Sequence, residues 1–556
     1  MIRLLSLFLA LSLSLSAVGA SLDEARQLVD QRRYAEAIPM YEVLLAERPG
    51  QADLLIEAGR VNAWADRHAD AARLYRQALA AAPQRRYDVL LPLAWQLAWG
   101  GRHDEAIPLF REVAQQVPAQ KTEALHGLAE SLAAGNQLQA ALDVYHTLAA
   151  DPADLKARKA EARVLLWLER HDEAILRYRA VLDAHPNDKE AQVGLARALN
   201  YSGRHFEAVI AYAAAVENDA ALARDTRTER ATALRWAGLE DAALTTLGDA
   251  PGRDSVSLRS RLGQETASHV RAEFESSWDS DDLDIDALSL GWQQRFGAGR
   301  WLDVSARAAR IDQYGEQIDG RQLLVKGGAR FGSVEQGLFW PALTLGVRDY
   351  DGWQTAAWKL QGRWLPADFW RIDLEAGNDV VETVEALHKE VTLNQLSAST
   401  DWLFAPRWRA TLGAAVLRFD DDNLRSRLIG RVEHVLLTAR PRVVVGVEGM
   451  GFNDSDPDID RGYYNPETYR ELKALARVEH EAYGWLLEAR LAFGKLWETP
   501  GDSNGLYAWE LVAARDLAPT LRMRLYAGGS DSSAFLQGTG SGYTRNYLGA
   551  SLIWFY

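Results

Sequence analysis

LKALARVEHEAYGWLLEARLAFGK, residues 472–495, decides the fold of the second half of the chain. Taken two residues at a time, Leu472, Ala474, Ala476 and Val478 share one face. Glu471, Lys473, Arg477, Glu479 and Glu481 share the other. After the turn AYGW (482–485) the pattern resumes, with Leu487, Ala489, Leu491 and Phe493 opposite Glu488 and Arg490. Alternation with period two predicts strands, each with one apolar and one charged face, and the glycine between them predicts a tight hairpin.

The same pattern runs outward in both directions. WKLQGRW (358–364) sets Trp358, Leu360 and Trp364 against Lys359, Gln361 and Arg363, and TLRMRLYA (520–527) sets Leu521, Met523 and Leu525 against Arg522, Arg524 and Tyr526. About sixteen such segments fit between residues 267 and 556, the density of a membrane-spanning barrel. A soluble sandwich also alternates, so two further features decide. The links differ in kind: GAGR, FAPRW, TARPR and AYGW are tight, whereas YGEQIDG, ETVEALHK (382–389), FDDDN (419–423) and NDSDPDIDRGYYNPE (453–467) are longer and polar. Trp301, Phe369, Trp370, Phe404, Trp408 and Trp485 cluster beside the tight links, as an interfacial aromatic girdle would. The chain ends in YLGASLIWFY, which puts Leu548, Ala550, Leu552, Trp554 and Tyr556 on one apolar face. That is a last strand lying against lipid, with Trp554 and Tyr556 as a C-terminal barrel signal.

The first half follows a different period. RRYAEAIPMY, GRHDEAIPLF and GRHFEAVIAY are three copies of one motif, anchored by Ala37, Ala71, Ala106, Ala141, Ala174 and Ala208 at spacings of 34, 35, 35, 33 and 34 residues. An aromatic follows four residues after each: Tyr41, Tyr75, Phe110, Tyr145, Tyr178 and Tyr212. Pro49, Pro83, Pro118, Pro152 and Pro186 close the units, and a degenerate seventh surrounds Ala242. Small residue, aromatic and terminal proline at this period make the tetratricopeptide helical hairpin. His68, His103, His171 and His205 recur at one place in it, which marks a structural turn position rather than a metal site. Stacked hairpins form a solenoid whose concave face takes a protein partner.

Residues 1–20, MIRLLSLFLALSLSLSAVGA, read as a cleaved signal sequence. The expected order is signal peptide 1–20, repeat solenoid 21–253, linker 254–266 and barrel 267–556. The fold class is therefore α + β multidomain: an N-terminal all-α tetratricopeptide solenoid followed by a C-terminal antiparallel transmembrane β-barrel of about 16 strands.

The formal net charge of -15 argues against a nucleic-acid partner, and the absence of cysteine removes disulfides, thiolate metal sites and thiol nucleophiles. No G-x-S-x-G or H-E-x-x-H stands anywhere, and QGTGSG (537–542) lacks the Lys-Ser/Thr of a phosphate loop, so no enzyme, cofactor or metal is expected. From Ala267 to the end, 41 acidic and 31 basic residues give a net of -10. Glu273, Glu275, Asp373, Glu375, Glu471, Glu479, Glu481, Glu488 and Glu510 fall on the charged strand faces and are the expected substrate-facing lumen residues. Such a lumen favours a neutral or partly cationic solute, unless the acidic excess lies in outer links such as DSDPDID, where it only solvates.

The repeat anchors (RHDEA at 102–106), the link GYYNPETY (462–469) and the terminal LIWFY together resemble the exopolysaccharide export porins of Gram-negative bacteria. The poly-β-1,6-N-acetyl-D-glucosamine export porins are most similar, and the cellulose export subunits share the plan. The resemblance implies an outer-membrane barrel that passes a partly deacetylated polysaccharide and is inserted by the barrel assembly machinery. It also implies periplasmic repeats that dock a modifying protein such as a polysaccharide deacetylase. A closed barrel whose repeats recruit periplasmic partners is the alternative.

Overall fold

The computed structural model describes residues 21–457, 461–499, 501, 503–531 and 544–556; residues 1–20, expected as a signal sequence, and QGTGSG lie outside the described residues. Among the described residues sixteen α-helices, from Leu22–Asp30 to Arg253–Thr266, precede the first strand. The chain forms two compact units, one ending at Ala198 and one running from Leu199 to Tyr556.

The first unit is a stack of helical hairpins, among them Arg86–Trp99 with His103–Gln116, Lys121–Ala134 with Leu138–Ala149, and Leu155–Trp167 with His171–Ala184. Ala37, Ala71, Ala106, Ala141 and Ala174 are wholly buried, as is Ala208 in the second unit, and the six anchor aromatics are at most 4% exposed. The alanine admits a close helix approach, and the aromatic one turn later fills the groove. The fit is tight at Gly127, where a Cβ would lie 2.3 Å from the Phe110 ring. Gly→Ala inside a helix normally stabilises by about 1 kcal/mol, but overpacking a core site costs about 1–3 kcal/mol, so the second effect wins here. Gly127→Ala is therefore expected to lower the melting temperature of the helical signal. Gly263→Ala, on a helix with nothing within 4 Å of the added carbon, is expected to raise it. Circular dichroism melts check the opposite signs.

In the second unit sixteen long antiparallel strands, from His269–Asp279 to Arg545–Phe555, follow one another in sequence around a ring. The first pairs with the last over eleven residues, His269 opposite Phe555 and Asp279 opposite Arg545, so the barrel closes and no edge remains. A three-residue strand, Phe331–Ser333, adds only a rim hairpin. Residues 254–266, expected as a linker, are instead helical within Arg253–Thr266, with Leu262 buried among the apolar residues of the preceding two helices.

The apolar strand faces point outward. Leu360, Leu428, Leu472, Leu491, Phe493 and Leu552 are all about half exposed or more. A continuous apolar wall of this kind is lipid-facing. Phe369, Trp370, Phe404, Trp408, Trp554 and Tyr556 are exposed at the tight-turn end, where Trp292 Nε1 donates to the Tyr556 hydroxyl at 2.6 Å. Trp485 points outward with Arg515 over its ring. Trp301 departs from the expected girdle: it shares its strand face with Asp303, Ser305 and Arg307, which line the lumen, and Lys326 lies over its ring. A single residue of register separates the two faces, and the tryptophan falls on the inner one.

Candidate functional site: a plugged barrel lumen

All nine acidic residues expected in the lumen lie on the inner faces, and each has a partner. Tyr526 donates to both Glu273 (3.1 Å) and Glu275 (2.9 Å). Asp373 pairs with Arg363 (2.7 Å) and Arg371 (2.8 Å), and Glu375 with Lys359 (3.2 Å), Gln361 (2.6 Å) and Gln395 (2.5 Å). Glu471 holds Lys473 (2.6 Å), Glu479 holds Arg442 (3.0 Å), and Glu481 pairs with Arg440. Glu488 and Glu510 share Arg490 at 2.6 and 3.0 Å. The wall is thus a mosaic of ion pairs rather than an acidic surface. The expectation of a net negative lumen is corrected: charges facing a confined channel are stabilised by neighbours of opposite sign. Acidic residues also cluster in the links, as at Asp281–Asp282 and Asp420–Asp422.

Two long links that read as polar outer loops turn into the barrel. Residues 381–391 carry a short helix, Val384–His388, capped by the Thr383 side chain. Its Val384 and Leu387 pack on Leu283, Ile285, Ile311, Ile318 and Tyr350 of the inner wall. Glu382 is clamped by Arg307 (2.6 and 3.1 Å) and the Tyr350 hydroxyl (2.9 Å). The second link brings in Tyr463 and Tyr464. The Tyr463 ring stacks on Phe419 with centroids 4.4 Å apart, and the Tyr464 hydroxyl donates to Glu498.

The two links meet. The Thr383 hydroxyl donates to the Gly462 carbonyl, and a Cβ on Gly462 would lie 2.8 Å from the Ala386 amide nitrogen. Gly462 also has φ +82°, a conformation glycine adopts freely. Beneath them, Arg425 and Asp454, 2% and 0% exposed, form a bidentate pair at 2.9–3.2 Å. Arg425 lies over the Phe452 ring at 4.3 Å and donates to the Tyr464 carbonyl. Among the described residues the long-link end is therefore filled by apolar packing over buried ion pairs. Sequence reasoning missed this plug. Its signal was present as apolar Val384 and Leu387 one helical turn apart, and as paired tyrosines, in segments otherwise rich in charge.

At the tight-turn end the helices between His205 and Thr266 sit on the barrel rim. Phe206, Ala237 and Leu338 form a buried cluster with Trp340 against it. Asp241 accepts from the Gly299 amide (2.9 Å), Arg330 donates to the Gly238 carbonyl (3.0 Å), and Asp368 accepts from the Phe206 amide (2.6 Å). Burial raises the Asp368 carboxyl to about 7, with Glu207 adding to the rise and the Phe206 amide opposing it. An acid raised on docking binds its proton more tightly in the docked state, so docking is favoured at low pH and weakens as pH rises toward and through 7. Protection of the Phe206 amide from hydrogen exchange is expected to fall between pH 5.5 and 8, after correction for intrinsic exchange. Asp368→Asn, which keeps an acceptor, is expected to flatten that dependence.

Residues 325–498 match the family model described as PgaA membrane beta barrel domain, a span that contains both plug segments. Residues 28–93 and 159–223 match two tetratricopeptide-repeat models. No curated protein matches the chain. Similar solved structures include a bacterial polysaccharide outer membrane secretin, 14% identical, covering 52% of this chain and 99% of that one with a TM-score of 0.44. The C-terminal part of a tetratricopeptide repeat-containing protein from Cytophaga hutchinsonii is 15% identical, covering 43% and 99% with a TM-score of 0.36. The MamA protein is 21% identical, covering 32% and 94% with a TM-score of 0.28.

Proposed function

We propose that this chain, an outer-membrane polysaccharide export porin with a PgaA-type barrel behind tetratricopeptide repeats, passes partly deacetylated poly-N-acetylglucosamine. The observation that carries the reading is the barrel match over residues 325–498. The inner wall supports it. Rings of ion pairs such as Glu488–Arg490–Glu510 offer donors and acceptors to hydroxyls and acetamides without holding any one sugar strongly. Conduction needs many weak sites in series. The nine inward carboxylates are the proposed substrate contacts, with a locally displaced ion pair answering each ammonium group. The repeats stand in the periplasm in this reading and dock a modifying protein such as a deacetylase. Trp554 and Tyr556 present the last strand to the assembly machinery.

The plug at the long-link end favours a second reading, a closed scaffold whose repeats recruit partners. Recordings of the full chain in a planar bilayer separate the two. The export reading expects rare openings that β-1,6-linked glucosamine oligomers block, more strongly when partly deacetylated than when fully acetylated. A barrel that never opens supports the scaffold, and openings indifferent to these oligomers remove the polymer.

A further inference from the structure

Outward cations at the long-link end of the barrel mostly face a carboxylate of their own chain. Arg310 stands opposite Asp286 on one side and Asp319 on the other. Arg321 stands opposite Asp349, and Arg418 lies 4.0 Å from Asp422. Arg470 and Lys495 break this rule. Arg470, on the strand Thr468–Ala482, has Gly451 and Trp497 as its ladder neighbours. Lys495, on the strand Trp485–Thr499, has Leu472 and Gly505. Both are exposed on the lipid-facing wall, and among the described residues neither makes an ion pair. The two are diagonal neighbours across one ladder, since Arg470 pairs with Trp497 and Leu472 with Lys495. Diagonal neighbours lie about 7–8 Å apart, so long side chains there can converge on one group. The Lys495 ammonium sits 5.9 Å from the centroid of the Trp497 ring, so its side chain climbs toward the level of Arg470.

Trp497 belongs with Trp278 and Tyr507 to a second set of exposed outward aromatics, which marks the membrane boundary at this end. Beneath it the wall is apolar, with Leu428, Leu472 and Phe493 about half exposed or more. Gly505 leaves one flank of the pair open, with nothing within 4 Å of an added Cβ. Two cations side by side repel each other, and an anion between them replaces that repulsion by two attractions. We propose that Arg470 and Lys495 hold the phosphate monoester of a membrane lipid whose acyl chains lie on the wall below. A monoester carries about -1.5 to -2 charges near pH 7, which matches two cations, whereas a diester carries a single charge. The planar Arg470 fork takes two phosphate oxygens, and the Lys495 ammonium takes a third as a point charge. The apolar wall directly beneath selects an amphiphile over a free ion, because only an amphiphile covers it. The site stands on the outer face of the barrel and is independent of what the lumen passes.

The test uses the full chain, delipidated in dodecyl maltoside and mixed with diphosphoryl lipid A, which carries phosphate monoesters. Bound lipid is read by native mass spectrometry. Wild type is expected to retain lipid A and to release it to phosphatidylglycerol, a diester, only at about tenfold higher concentration. Arg470→Gln and Lys495→Gln are each expected to lower the bound fraction by about tenfold, and Lys495→Arg to keep most of it. Arg321→Gln, at the same end but opposite Asp349, is expected to leave binding unchanged. All three positions are exposed, so heat-modifiable mobility should show every variant barrel folded. Wild-type retention by Arg470→Gln or Lys495→Gln overturns the site. A loss of the same size in Arg321→Gln overturns it in favour of a general attraction to basic residues. Displacement of lipid A by an equal concentration of phosphatidylglycerol overturns the monoester, and displacement by inorganic phosphate overturns the lipid.

Discussion

Replacing Gly462 by valine opens the barrel. The residue sits where the two inward segments touch, at φ +82°, with the Ala386 amide nitrogen 2.8 Å from any Cβ. Valine there meets backbone rather than a side chain that could turn aside, and a β-branched residue adopts positive φ poorly. Overpacking of about 1–3 kcal/mol, applied only to the closed arrangement, shifts the closed–open balance by roughly 5- to 150-fold. Planar-bilayer recording should therefore find a Gly462→Val chain open far more often than wild type, at the same unit conductance. Thr383→Val removes the hydroxyl that donates to the Gly462 carbonyl and is expected to act in the same direction with smaller effect. If Gly462→Val leaves open probability unchanged, the contact between the segments does not hold the barrel shut.

Arg425→Met is the substitution with the largest expected cost to stability. It removes the guanidinium that pairs with Asp454, caps the Tyr464 carbonyl and covers the Phe452 ring. Among the described side chains Asp454 then keeps only Asn423, at 2.9 Å. Breaking a buried pair from one side costs about 3–5 kcal/mol, because a carboxylate is left without a counter-charge. Removing both charges costs less, since no ion is then stranded. The Arg425→Met, Asp454→Asn double variant should thus unfold at a higher denaturant concentration than Arg425→Met alone, read from the heat-modifiable mobility of the barrel. A double variant weaker than the single one would mean that the pair is not the unit holding the plug's base.

The repeats were legible because their signal is redundant. Six alanines and six aromatics at one period all point to the same hairpin, and all twelve are buried as that hairpin requires. The barrel was legible for the same reason, since the alternation of Leu472–Val478 recurs in strand after strand and sorts wall from lumen. Sequence reasoning failed where one residue decides alone. Trp301 is aromatic and next to a tight link, yet its register places it inside. The charges were placed on the correct face, but alternation along one strand carries no information on the neighbour across the ladder. Whether Glu510 meets a cation or water depends on the ladder that sets it opposite Arg490 on the neighbouring strand. The plug was hidden for a related reason. Val384, Leu387 and Tyr463 are few among many charges, and only closure of the barrel shows that they have a wall to pack on.

The most direct test of the central claim is the amount of poly-N-acetylglucosamine at the cell surface when the chain is removed and then restored. Passage through this barrel predicts that surface polymer disappears while periplasmic polymer accumulates, and that full-length chain restores export. Undiminished surface polymer in cells lacking the chain would contradict the account.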